Sequence, residues 1–308
     1  MGRLYTGFVS QLIEYVEAQG KTAMLWGDIV LNHMELLPEI SEKAVLLNWD
    51  YSPEPDFSKV KCFEETERTQ IVCPGTSGWG RLAEYLPWAA DNIRSMALYG
   101  KLCHAGGFLN TNWGDNGHLC DPLNAAYGMV LGAAEAWNPG GASEDYFDQA
   151  VGILNYHNDN GNAVRALKMI NQSDDIDVCT QALNLYGEKR YEGYSFQKEM
   201  YGWKELLDRA KQCEQAGKLL KQEAARGNME PNTAKALMLA AEGYALLLRG
   251  LASVCGSREA FCEADFERWL TGFRENWTAQ NRKDELPVAL EVLRGFRDRV
   301  VTEREARY

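Results

Sequence analysis

The period of the apolar positions changes several times along the chain, and each change marks an element. Leu4, Phe8, Leu12, Ile13 and Val16 recur at helical spacing, and Gly20 ends that run. Thr22 to Trp26 is a short continuous apolar stretch, as a buried strand requires. Leu36 to Ile40 reads as at most a short helix. Ala44 to Trp49 is a second strand, Phe57 to Phe63 a helix, and Gln70 to Cys73 a third strand. Glu84 to Tyr99 is a longer helix with Ile93, Ala97 and Leu98 as core. Gly107 to Thr111 is a fourth strand, and a helix opens at Pro122 and runs to Trp137. Strands that alternate with helices predict parallel β/α units.

Asn138-Pro139-Gly140-Gly141 is a break, and the pattern changes after it. From there the periodicity is helical throughout: residues 143–157, 163–170, 177–186, 196–225, 231–254, 258–279 and 284–305. No fixed-period repeat is present. Two domains are therefore expected, 1–141 and 142–308. Asn158-Asp159-Asn160-Gly161 has the flavour of a calcium loop, but the closing Glu is missing, so it reads as a turn.

Each of the four strands ends in aromatic and polar residues. Trp26-Gly27-Asp28 follows the first, Trp49-Asp50-Tyr51 the second, Pro74 to Trp79 the third, and Asn112-Trp113-Gly114-Asp115 the fourth. Loops at the carboxyl ends of parallel strands carry ligands in α/β folds. An indole face packs on the C–H groups of a sugar, while Asn and Asp take its hydroxyls. The candidate sugar-binding residues are thus Trp26, Asp28, Trp49, Tyr51, Trp79, Asn112, Trp113 and Asp115. His118 could line the same site or serve as a turn residue. Arg81 and Arg94 read as solvated or paired surface arginines rather than as anion ligands.

Composition narrows the function. The net charge of −12 argues against nucleic acid, which wants clustered Lys and Arg. No stretch is read as a membrane span, and no signal peptide is in view. The eight cysteines are irregularly spaced, without a close Cys-x-x-Cys pair, which suggests reduced thiols and a cytoplasmic setting. Neither they nor the four histidines form a metal-ligand cluster, and no cofactor is indicated.

Met24-Leu25-Trp26-Gly27-Asp28-Ile29, Leu47-Asn48-Trp49 and Leu109 to Asp115 resemble the second half of the catalytic barrel of family-20 glycoside hydrolases, the β-N-acetylhexosaminidases. The resemblance covers about residues 3–138. Asn276-Trp277, Asn281-Arg282 and Glu285-Leu286 look like helical extensions of some members. The resemblance implies the last four strands of a (β/α)8 barrel followed by an all-α domain. It implies removal of a terminal N-acetylhexosamine from a small or oligosaccharide substrate by substrate-assisted retaining hydrolysis. It places the family's adjacent Asp-Glu pair before residue 1, in which case this chain alone is inactive. Asp284-Glu285 opens a helix instead. The resemblance implies that Trp26, Trp49 and Trp113 wall the pocket and that Asp115 binds hydroxyls. The third strand departs from it: Val72-Cys73-Pro74-Gly75 replaces the usual Tyr-x-Asp, and Tyr51 and Trp79 are the candidates to stand in. Two alternatives stay open. One is a non-catalytic carbohydrate-binding protein that kept the Trp-lined pocket. The other is a different barrel glycosidase that uses Asp28 and Asp115 as its acid pair.

Overall fold

The structure is a computed structural model and describes residues 2–171, 175–187, 201–258 and 261–306. Its helices are α1 (Gly2–Ala18), α2 (Asp28–Leu31), α3 (Phe57–Glu64), α4 (Leu86–Leu102), α5 (Asp115–His118), α6 (Ala126–Trp137), α7 (Glu144–Leu154), α8 (Asn162–Ile170), α9 (Asp175–Gly187), α10 (Trp203–Ala225), α11 (Pro231–Val254), α12 (Glu263–Gln280) and α13 (Leu286–Glu305). The strands are β1 (Met24–Trp26), β2 (Val45–Trp49), β3 (Gln70–Cys73) and β4 (Gly107–Phe108). All pairings are parallel, in the order β1-β2-β3-β4. Residues 196–200 of the helix expected over 196–225 lie outside the described residues.

The expected fold class needs correction. The chain is 67% helical with one small four-strand sheet, and it is not a partial (β/α)8 barrel followed by a helical domain. The strands are only two to five residues long, whereas several helices exceed 17. The fourth strand is regular over only Gly107–Phe108. Past it Leu109 donates to the Val72 carbonyl and Thr111 to the Pro74 carbonyl, both at 2.9 Å, Thr111 bridges Gly75, and the Asn110 side-chain amide turns onto the Gly128 carbonyl at 2.9 Å.

The chain divides into two compact units. The first comprises Met1–Thr76, Pro87–Thr111 and Gly128–Gly141; the second comprises Ser77–Leu86, Asn112–Tyr127 and Ala142–Tyr308. Two stretches that precede Gly141 thus belong with the later helices.

In the first unit, α1 lays Tyr5, Val9, Ile13 and Val16 against Ile40, Leu46 and Phe63. The helix α3 is tied to the sheet by two buried amides. Asn48 Nδ2 donates to the Lys59 carbonyl and to Gln70 Oε1, both at 3.1 Å, and Gln70 Nε2 donates to the Val60 carbonyl at 2.8 Å. Val60, Val72, Met96 and Cys103 form a second apolar cluster beside them.

In the second unit, α10 and α11 pack as a close pair, with Gly217 set against Ala241. The length and apolarity of α11 would suit a membrane span, contrary to the sequence reading, but 78% of its most apolar window is buried inside the protein. Residues 77–86 are fastened to these helices. Tyr244 Oη accepts from the Leu82 and Ala83 amides at 3.0 and 3.2 Å, Asn124 Nδ2 donates to the Leu82 carbonyl at 3.0 Å, and Asn171 Oδ1 accepts from the Leu86 amide at 2.9 Å.

The Asn-rich loop after α7 is a clasp around one carboxylate. Glu223 of α10 is 0% exposed. It accepts from Asn158 at 3.2 Å, Asn160 at 2.7 Å, Asn162 at 3.1 Å, Asn228 at 3.2 Å and Arg226 at 3.1 Å. Gly161 supplies the left-handed turn, φ 72°, that wraps the loop. The amide of Asn160 does most to hold this carboxyl below its ordinary value; burial opposes it, and the other three amides reinforce it. A lowered carboxyl pKa stabilises the fold above the unfolded value and loses that contribution as pH falls through the folded value. Acid titration followed by circular dichroism should therefore show wild-type stability falling below about pH 4.5, and Glu223→Gln should flatten that limb. Glu223→Ala strands four amides and should cost roughly 3 kcal/mol at neutral pH.

Candidate functional site

The expected sugar-binding residues fall in both units. Trp26, Asp28, Trp49 and Tyr51 belong to the first, and Trp79, Asn112, Trp113 and Asp115 to the second.

In the first unit the group forms where β1 and β2 end. Gly27 donates to the Leu47 carbonyl at 2.8 Å, which carries the β1–β2 pairing one residue past Trp26. A Cβ at Gly27 would stand 2.9 Å from the Phe63 ring, so the close approach requires glycine. Asp28 then opens α2. Trp49 remains 37% exposed at the end of β2. Its indole N–H donates to Asp28 Oδ1 at 3.4 Å, and its ring stacks on Tyr51 with centroids 5.0 Å apart and planes 24° from parallel. The structure thus brings Asp28, Trp49 and Tyr51 together, with Trp26 half-buried one residue before Gly27. Tyr5 on α1 faces the same carboxylate: burial raises its hydroxyl pKa, and the charge of Asp28 adds to it.

Two neighbours hold this group in place: Asp50, noted at the strand end but not among the expected sugar-binding residues, and Asn92, which the sequence reading missed. Asp50 accepts from Lys59 Nζ at 2.9 Å and from the Ser52 amide at 3.0 Å. Burial works to raise its carboxyl, yet these hydrogen bonds and the Lys59 charge outweigh it and hold the pKa below normal. Asn92 of α4 is fully buried. Its Nδ2 donates to the Asp50 and Ser52 carbonyls at 2.7 and 2.8 Å, while its Oδ1 accepts from the Gly75 amide at 3.0 Å. One side chain thereby fixes the loops after β2 and β3. The only local cue was a polar residue between Ala89 and Ile93 on an apolar helix face.

In the second unit, Trp113 is 39% exposed, and Asp115 is exposed as the first residue of α5. Asn112 lies against Gly78, where an added Cβ would come within 2.8 Å of its Oδ1. His118 closes α5 with a left-handed φ of 62°, and its ring packs on Gly114. Burial lowers its pKa and nearby Asp121 offsets this only in part, so the imidazole favours its neutral form. Helices from the end of the chain brace this loop: Trp277 donates to the His118 carbonyl at 3.1 Å, Asn276 donates to Asp121 at 2.5 Å, and Gly117 lies against the backbone of Ala289.

Arg81 departs from its expected surface role. It is 4% exposed, donates to the Ser77 and Trp79 carbonyls at 3.3 Å, and lies 5.6 Å from the Tyr85 ring centroid. Arg94 pairs with Glu135 at 3.9 Å. Among the described residues, no group of three or more His, Cys, Asp or Glu is placed to hold a metal ion. No protein-family model and no curated protein matches the chain.

Removing Asn92 should loosen the loops behind Trp49. Asn92→Leu is expected to lower unfolding stability by about 2–4 kcal/mol, since it leaves buried backbone groups without partners. Thermal unfolding measures the loss. A change in tryptophan emission at temperatures where the variant is still folded, absent when Trp49 is replaced by Phe, would show that the loop itself has moved.

Proposed function

We propose that this protein recognises a terminal amino sugar as a β-N-acetylhexosaminidase-like glycoside hydrolase, with Asp28, Trp49 and Tyr51 as the platform that receives the ring. The observation that carries this reading is the half-exposed indole of Trp49, stacked on Tyr51 and oriented by Asp28. An indole face offers a sugar's C–H surface a flat partner, and the adjacent carboxylate and phenol offer hydroxyls an acceptor and a donor. Within the second unit, exposed Trp113 and Asp115 are proposed as a sugar contact in their own right.

A second reading, carbohydrate binding without hydrolysis, is favoured by one observation. The one adjacent Asp-Glu pair of the chain, Asp284-Glu285, is exposed just before α13, where Asp284 pairs with Arg282 at 3.2 Å. It lies far in sequence from the strand ends and is not arranged as the acid and orienting pair of substrate-assisted hydrolysis.

Titration of the purified protein with chitobiose, followed by tryptophan fluorescence, should show saturable quenching. Trp49→Ala should weaken binding about three- to ten-fold, as loss of one stacking contact implies. Absence of saturable binding by wild type would overturn both readings. Turnover of a chromogenic N-acetyl-β-glucosaminide by this chain would place a general acid within it; binding without turnover is expected of both readings, which are then separated by turnover in a longer polypeptide that carries an Asp-Glu pair ahead of these residues.

A further inference from the structure

The most buried helix of the second unit comes to the surface along one stripe. Over residues 236–254 of α11, every residue is buried except Met238, Leu239, Glu242 and Arg249. Met238, Glu242 and Arg249 share one face of the helix, being four and seven residues apart. Ala245 and Leu246, buried at the back of that face, carry its apolar surface on between Glu242 and Arg249. A groove of about 620 Å³ runs along this stripe. Small-molecule sites commonly enclose ~300–1,000 Å³. The helix α10 supplies one wall through Glu214, Lys218 and Lys221, again at helical spacing, and α12 supplies the other through Asp265 and Arg268.

Charge separates this groove from an ordinary seam between helices. Its four cations come from three helices, and two of them are matched inside it. Arg249 donates through Nε and Nη2 to Glu214 Oε1 at 2.9 and 2.7 Å, which ties α11 to α10, and Arg268 pairs with Asp265 at 2.9 Å. Lys218 and Lys221 are exposed, and among the described residues neither has a carboxylate at ion-pair distance. Three residues apart on α10, they place two ammonium groups side by side. Glu242 is the remaining carboxylate. It is exposed at the rim, yet the walls desolvate its carboxyl in part and raise its pKa; the charge of Arg268 lowers it and that of Asp265 raises it. Four cations against three carboxylates leave the groove net positive in a chain whose net charge is −12.

We propose that this groove binds a small amphipathic anion, with a phosphate or carboxylate group held by Lys218 and Lys221 and an apolar body laid over Met238 and Leu246. Two unmatched ammonium groups favour an ionised oxygen acceptor, and the apolar stripe beside them gains by losing water. An anion without an apolar body uses only half of this surface, and a neutral apolar molecule only the other half. The inference rests on residues of α10, α11 and α12 and is independent of the strand-end sugar site.

Isothermal titration calorimetry on the full chain tests it, with octyl phosphate, octanoate, octylammonium and octanol as probes of one chain length and inorganic phosphate as the bare head group. Octyl phosphate or octanoate should bind one-to-one with a Kd below ~1 mM, at least ten-fold more tightly than octylammonium, octanol or inorganic phosphate. Whichever of the two anions binds more tightly identifies the head group, and either result supports the proposal. Lys218→Gln combined with Lys221→Gln changes exposed positions, so it should keep the wild-type circular dichroism and weaken this binding at least ten-fold. Lys235→Gln, exposed on α11 outside the groove, should leave binding unchanged. Failure of both octyl anions to bind up to ~5 mM would overturn the proposal. So would equal binding of octylammonium, inorganic phosphate as tight as octyl phosphate, or binding indifferent to the double variant.

Discussion

The buried backbone of residues 77–86 needs hydrogen-bond partners, and meeting that need decides which parts of the chain fold together. A loop taken out of water must satisfy its amides and carbonyls or lose about 1–3 kcal/mol for each group left alone. Here side chains of the later helices do it: Tyr244 on α11 takes two amides, Asn171 after α8 takes a third, and Asn124 reaches both the Leu82 carbonyl and the Ala236 carbonyl of α11. Close approach makes this geometry possible, since Gly243 has Leu82 and the Trp269 ring within 2.5 Å of where a Cβ would stand. The loop after β4 follows the same logic, held through Asn276, Trp277 and Ala289. Segments that sequence order would assign to the β/α region are therefore part of the helical unit.

This pattern also separates what the sequence disclosed from what it hid. Local periodicity disclosed most elements: Gln70–Cys73 and Pro231–Val254 lie where their apolar runs place them, and the other strands and longer helices begin or end within a few residues of expectation, while the short helices α2 and α5 were not expected. Periodicity did not disclose extent. The run from Gly107 to Thr111 reads as one strand, yet the regular strand ends at Phe108, with backbone bonds from Leu109 and Thr111 continuing to the Val72 and Pro74 carbonyls. The four short strands form one small sheet in a mostly helical chain, where a barrel segment was expected. The long-range polar ties were not legible at all. Glu223 looks like any helix glutamate and Asn158 like any turn asparagine; their pairing spans 65 residues and leaves no local trace.

Of the site, the strand-end position of Trp49 and its pairing with Asp28 and Tyr51 follow from residues that the sequence already singled out. The supports behind them do not. Asn92 lies 40 or more residues from the loop after β2 that it anchors, and Lys59 reaches Asp50 from the following helix. A sequence displays the aromatic and acidic residues that face a ligand because they break the apolar pattern. It conceals the residues that set their geometry, because a buried amide differs from its apolar neighbours by one polar group and takes its meaning from partners far along the chain.

On the proposed reading, the exposure of Trp49 serves recognition. Leaving about a third of an indole in water forgoes roughly 2 kcal/mol of burial, and a free rotor would recover it by folding back onto the sheet. Tyr51 occupies one face and Asp28 holds the ring nitrogen, so the ring has no such rotation open to it. The loop beneath is fixed in turn by Asn92 and Lys59. A surface aromatic held on one face and at its ring nitrogen has less conformational freedom to lose when a flat ligand settles on it, which is what the proposed platform asks of Trp49.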